Sequence, residues 1–181
     1  MRQPDFEVAQ RVLAGETDAF DILVRQYQQD IYRLAFRMTR NAEEARDLAQ
    51  DAFVQAYKSL ASFRGQSRFS TWLYRIAMNL CLTHLKSAAR QDPAEVDGTL
   101  ADHRADSLTV LLADERDRAL AEAIDALPPQ QKATLTLRIH QGLGHKEIAE
   151  TLGCSEGTAK ANYFHAVRAL QRKLQAFRDA G

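Results

Sequence analysis

Apolar residues recur every three or four positions along almost all of this chain, and nowhere do they alternate with polar ones over the length of a strand. That spacing is the period of a helix, whereas a strand shows a period of two. Phe20, Leu23, Val24, Tyr27, Ile31, Leu34, Ala35 and Met38 form one apolar stripe. Asn41, with Glu44 three residues on, has the form of a capping box. It opens a second stripe of Ala45, Leu48, Ala49, Ala52, Phe53, Ala56, Tyr57 and Leu60. A loop over residues 62–70 contains Gly65, and a third stripe follows in Trp72, Leu73, Ile76, Ala77, Leu80, Cys81 and Leu85. With a short helix near residues 5–14, these segments predict a compact helical domain over residues 1–88.

The period fails over residues 89–106, around Pro93 and Gly98, and this stretch reads as a flexible linker. It returns with Leu108, Leu111, Leu112, Leu120, Ile124 and Leu127. Pro128-Pro129 interrupts it, and Pro129 suits a first helical turn. A helix to about His140 is then closed by Gly142 and Gly144, a short one runs from Lys146 to Leu152, and a last one starts near Ser155. The expected fold class is therefore all-α: two small helical domains, residues 1–88 and 107–181, on a tether.

Net charge is uninformative, since 24 basic residues balance 24 acidic ones, but its distribution is not. Residues 52–91 carry Lys58, Arg64, Arg68, Arg75, Lys86 and Arg90 with no acid, and residues 157–178 carry Lys160, Arg168, Arg172, Lys173 and Arg178 with none. The linker between them holds Asp92, Glu95, Asp97, Asp102 and Asp106 against one base, Arg104. Two basic blocks around an acidic one suggest two separate surfaces that face polyanions, though solvated helix faces would carry the same charges.

Motifs inside the blocks sharpen this. Lys146 to Gly153, then Cys154 to Thr158, gives a short amphipathic helix, a glycine turn and a capped longer helix, the plan of a helix-turn-helix. Burying Ala159, Tyr163, Ala166, Val167, Leu170 and Leu174 leaves Thr158, Lys160, Ala161, Asn162, His165 and Arg168 facing outward. Short polar groups at a helix start reach base edges, and Lys160 and Arg168 suit phosphate or guanine. In the first block, Phe63, Phe69 and Trp72 are interleaved with Arg64, Arg68 and Arg75 at the junction of a loop and a helix. Unstacked bases need such a mixture of rings and cations. Trp72 lies on the apolar stripe, which points to packing, while for Phe63 and Phe69 burial and base contact are both open. The helix over residues 42–60 turns Asp47, Gln50, Asp51, Val54 and Gln55 outward, as any solvated helix face or a partner surface would.

Other classes lack their signatures. Cys81 and Cys154 read as unpaired structural thiols of a reducing compartment. Cys81-x-x-His84 has no second pair to complete a metal site, so neither metal nor cofactor is expected. No nucleophile–base pair or glycine-rich phosphate loop suggests an enzyme. Without a signal peptide or a long apolar run, a cytoplasmic protein with no membrane insertion is expected.

Asn41 to Tyr57 (NAEEARDLAQDAFVQAY) resembles the segment by which sigma factors of the extracytoplasmic-function (ECF) group bind core RNA polymerase. Phe63 to Asn79 (FRGQSRFSTWLYRIAMN) resembles that group's segment for melting and reading the −10 promoter element, and Ala126 to Gln131 with the helix-turn-helix is similar to its −35-reading domain. The resemblance implies a two-domain, non-enzymatic factor that binds the β′ and β subunits of the polymerase core, engages promoter DNA and is held by an anti-sigma factor. By position, Asp47, Leu48, Gln50 and Asp51 would face polymerase. Phe63, Arg64, Ser67, Phe69, Trp72, Arg75 and Asn79 would meet the −10 strand, and Thr158, Lys160, Asn162, His165 and Arg168 the −35 duplex. Ala159, Ala161, Asn162 and Tyr163 stand where valine, serine, arginine and leucine are frequent in the group, which leaves the fold intact and bears on the −35 sequence; His145 is also unusual. The competing reading is a helix-turn-helix activator of the response-regulator type, which would need an N-terminal α/β receiver.

Overall fold

A computed structural model describes residues 4–91 and 115–180, and every regular element among them is helical. The helices make two compact units, the first built mainly on residues 1–87, each with its own core. The linker's proline, glycine and acids, and Leu108, Leu111 and Leu112, lie outside the described residues. A receiver domain requires strands in the N-terminal part, and residues 4–91 contain none, so the response-regulator reading fails here.

In the first unit, α1 (Pro4–Leu13), α2 (Phe20–Thr39), α3 (Ala42–Lys58) and α4 (Phe69–Gln91) follow one another, with single 3-10 turns at Thr17–Ala19 and Leu60–Ser62. α2 buries Phe20, Leu23, Ile31, Leu34, Ala35 and Met38, much of the stripe read from the sequence, while Val24 and Tyr27 are half-buried. It stops at Arg40, which takes the left-handed conformation (φ 58°) normally left to glycine, its N–H donating to the Phe36 carbonyl at 2.8 Å. Asn41 then caps α3: its Oδ1 accepts from the N–H groups of Glu43 (2.9 Å) and Glu44 (3.2 Å). α3 presents Ala45, Ala49, Ala52 and Ala56 inward, and these small residues let it lie close along α2. Its cap region is also tied to α4, where His84 Nε2 and Glu44 Oε2 are 2.9 Å apart.

In the second unit, α5 (Glu115–Asp125), α6 (Pro129–His140), α7 (His145–Leu152) and α8 (Glu156–Ala180) are laid out as the breaker residues predict. Pro128 caps α6 and Pro129 occupies its first turn. Leu127, Leu135 and Ala166 form the core, with Ile124, Tyr163, Val167 and Leu170 against it. Lys132 is buried, and its ammonium donates to Asp125 Oδ1 at 2.9 Å, which pairs the buried charge.

Candidate partner and nucleic-acid interfaces

On α3, Asp47, Gln50, Asp51, Val54 and Gln55 are exposed on one side, while Leu48 faces the core. Leu48 is thus a core residue as well as a member of the expected partner-binding set. Asp47 and Asp51 stand one helical turn apart, and neither forms an ion pair among the described residues. Like charges at that spacing weaken a free helix slightly, a cost that a basic partner would remove.

The loop between α3 and α4 differs from what the stripes suggest. Phe63 and Phe69 stand outside the stripe in sequence, yet Phe69 is fully buried and Phe63 and Trp72 nearly so. The three rings pack on one another with centroids 5.3 Å (Phe63–Phe69), 5.4 Å (Phe63–Trp72) and 5.5 Å (Phe69–Trp72) apart. Tyr27 of α2 lies 5.7 Å from Phe69, and Phe6 of α1 lies 5.9 Å from Phe63. In this arrangement the three rings pack against one another, and stacking a base on any of them requires the cluster to open. What the junction does expose is polar. Arg64, Arg75 and Asn79 are exposed and Ser67 half-buried. Arg75 and Asn79 sit one turn apart on α4, so a cation and an amide share a face.

In the second unit, the helix-turn-helix forms as its sequence indicates. Ile148 and Ala149 of α7 are buried. Gly153 takes φ +65°, and the Cys154 N–H donates to the Ala149 carbonyl at 3.0 Å, closing α7 and redirecting the chain. Ser155 caps α8 by accepting from the Thr158 N–H at 3.0 Å, and the two hydroxyls are 2.8 Å apart, so Thr158 also completes the cap. Lys160, Ala161, His165 and Arg168 are exposed and Asn162 half-buried. Lys160 donates to Glu156 Oε1 at 2.8 Å, and that hydrogen bond holds the Glu156 carboxyl below its ordinary range. Phe164, outside the expected set, is among the exposed large apolar side chains, with the Arg168 guanidinium 5.4 Å from its ring centroid. His145 also gains an account: its ring meets Tyr163 edge-on at 5.6 Å, fastening the start of α7 to α8. Neither signal is legible locally, because both depend on how α8 lies against its neighbours.

No group of three or more His, Cys, Asp or Glu side chains able to hold a metal occurs among the described residues, and none of their helices is long and apolar enough to cross a membrane. Burial pushes the Cys81 thiol up to about 12, and His84 is engaged with Glu44, so neither is poised as a ligand.

Two family models match the chain in order: sigma-70 region 2 over residues 23–91 and sigma-70 region 4 over residues 117–170. The chain is 36% identical to the RNA polymerase sigma-H factor of Pseudomonas aeruginosa, covering 96% of this chain and 95% of that one. It is 35% identical to the ECF RNA polymerase sigma-E factor of Haemophilus influenzae over 94% of this chain and 95% of that one. In fold it is similar to the sigma factor RpoE solved with the anti-sigma factor NepR from Bartonella quintana (TM-score 0.70, 22% identity, 86% of this chain and 96% of the other). It is also similar to CnrH solved with the cytosolic domain of CnrY (TM-score 0.64, 22% identity, 96% of each chain).

Proposed function

The chain belongs to the ECF sigma factors of the sigma-70 family, and from that premise we propose that it binds core RNA polymerase, reads the −35 and −10 elements of a promoter and helps to open the duplex. It acts by binding and carries out no reaction of its own, and its place of action is the cytoplasm, with the polymerase. The observation that carries the reading is the match of both regions, in order, along a chain aligned almost end to end with named sigma factors.

The roles divide among three surfaces. The outward face of α3, through Asp47, Gln50 and Asp51, docks on the polymerase, with Leu48 fixing that face to the core beneath. The exposed groups at the α3–α4 junction, Arg64, Ser67, Arg75 and Asn79, meet the −10 strand, while the buried Phe63, Phe69 and Trp72 hold the loop that carries two of them. On α8, Asn162, His165 and Arg168 read base edges of the −35 duplex, Lys160 contacts phosphate, and Thr158 sets the helix start. The unit divisions at residues 88 and 107, with the acidic stretch as a tether, follow from the same reading. An anti-sigma factor is a further partner, by likeness to relatives solved with one.

Mixing the purified chain with core polymerase and running off transcripts from a genomic promoter library tests the whole. A co-eluting complex that yields discrete starts supports it; failure to bind core, or binding without any initiation, overturns it.

A further inference from the structure

The helix that precedes the region-2 match has no role in the division above, yet it holds both ends of the strand-capture loop. At one end the Phe6 ring lies edge-on to Phe63 (5.9 Å) and against Gly65. A Cβ at Gly65 would stand 2.7 Å from Phe6 Cδ2 and 2.9 Å from Cε2, and Gly65 takes φ +69°. At the other end Asp5 Oδ2 accepts from the Tyr27 hydroxyl at 2.6 Å and Asp5 Oδ1 from Gln26 Nε2 at 3.3 Å, with Tyr27 5.7 Å from Phe69. Burial and the Asp5 hydrogen bond both push the Tyr27 hydroxyl up, so it remains a donor to that carboxylate. α1 is itself anchored by buried Ala9 and Val12, and Arg11 at its end forks onto Glu16 (2.9 and 2.8 Å).

A glycine adopts negative φ as readily as positive, so the loop over residues 64–68 has a hinge at Gly65. The Phe6 ring fills the space on one side of that hinge, which leaves the loop one place to lie. Arg64 and Ser67 flank Gly65 in the chain, and their positions follow its setting.

We propose that Phe6 and Asp5 are positioning residues for −10 strand capture, clamping the Gly65 hinge and the Phe69 end of the loop so that Arg64 and Ser67 are presented to the unpaired strand in one conformation. This rests on the reading of the loop as the −10 element and adds to it an element outside the matched region.

The test uses the full chain in reconstituted holoenzyme. The probe is a fork-junction DNA whose single-stranded part carries the non-template −10 sequence of a promoter that gives run-off product. Phe6→Ala should weaken fork binding about tenfold, as loss of roughly one base contact would. Core affinity and binding to −35 duplex should stay at the wild-type level. Phe6→Leu, which keeps apolar bulk against the hinge, should restore most of the loss. Gly65→Ala should weaken fork binding in the wild-type background and add less in Phe6→Ala, because the ring it collides with is gone. Asp5→Asn and Tyr27→Phe should each give a smaller loss, and the double variant little more than the larger of the two, since both act on the Asp5–Tyr27 hydrogen bond, the first by removing its charge and the second by removing its donor. Asn79→Ala separates this proposal from the one beneath it. If Asn79→Ala and Phe6→Ala both leave fork binding unchanged, the loop is not the −10 reader and both fall. If Asn79→Ala weakens it and Phe6→Ala does not, the clamp alone is wrong. Should Phe6→Ala fail to fold by circular dichroism, the Phe6→Leu, Gly65→Ala and Asp5→Asn variants carry the decision. Wild-type fork binding by the last two would overturn the clamp.

Discussion

Replacing Phe69 with alanine separates a ring that holds the loop proposed to capture the −10 strand from one that touches DNA. Phe69 is fully buried, with Phe63, Trp72 and Tyr27 at 5.3, 5.5 and 5.7 Å. Truncating such a ring costs about 3–5 kcal/mol, transfer and cavity terms together. A unit the size of Met1–Ser87 has a total stability of about 4–13 kcal/mol at 0.05–0.15 kcal/mol per residue, so the loss takes about a quarter of it or more. Trp72 is the only tryptophan of the chain and sits in the same cluster, so its fluorescence reports this unit's unfolding. In guanidinium the midpoint should fall by about 1–2 M, from that loss divided by an m-value of a few kcal/mol per M. Polymerase binding should weaken in step as the folded fraction drops. Asn79→Ala, at an exposed position of α4, should melt within about 0.5 kcal/mol of wild type and yet slow promoter opening. A Phe69→Ala chain that melts within about 1 kcal/mol of wild type while opening is lost would refute the reasoning: the ring would then be capturing a base, not holding the core.

Other outcomes follow from single features. Asp47→Arg with Asp51→Arg should leave the fold intact, since both are exposed, and reduce co-elution with core polymerase by an amount worth several kcal/mol if the contacts are desolvated; co-elution at wild-type affinity would move the docking face elsewhere. Gly153→Ala should destabilise the second unit by about 1–2 kcal/mol, because φ +65° is strained for alanine even though no atom lies within 4 Å of the added Cβ; a calorimetric scan with no shift would contradict this. Native-state thiol labelling should modify half-buried Cys154 quickly and Cys81 only on unfolding, since Cys81 is buried and its pKa is raised to about 12; equal rates would mean that the first core opens locally.

The parts of this fold legible in the sequence are those that neighbours along the chain decide. The apolar period of α2, the asparagine cap of α3, the Pro128-Pro129 start of α6 and the Gly153 turn each follow from a few adjacent residues, and each stands where it was read. The burial of Phe63 and Phe69 could not be read that way. Phe63 sits in a loop and Phe69 at the first position of α4, so neither belongs to a stripe, and their cover comes from Phe6 and Tyr27, tens of residues away in the chain. Arg40 is illegible for another reason: a left-handed cap is signalled by glycine, and here an arginine takes it. Outward faces are easier to read than inward ones. Asp47, Gln50 and Asp51 were recognisable as exposed, whereas Leu48 belongs by sequence to both the stripe and the partner-binding set, and only packing assigns it inward.

On the proposed reading of the α3–α4 junction, the burial of these rings bears on the energetics of promoter opening. Separating one base step costs about 1.4 kcal/mol on average. Stacking on an exposed aromatic returns about 1–3 kcal/mol per base, whatever the base. While Phe63, Phe69 and Trp72 stay closed on one another, that sequence-blind return is not on offer. What the junction offers instead is a guanidinium from Arg75, an amide from Asn79 and the groups carried on the Gly65 loop. Hydrogen bonds to an extruded base contribute little net affinity against water but discriminate by several kcal/mol when a donor is left unpaired. On the proposed reading of this junction as the −10 reader, strand capture of this kind would select a sequence without driving the opening, and most of the melting energy would come from the polymerase. The free chain should then bind a −10 single strand weakly and selectively, with the selectivity retained and the affinity raised in holoenzyme. Tight, sequence-independent binding of single strands by the free chain would mean that the aromatic cluster opens in solution and stacks bases after all.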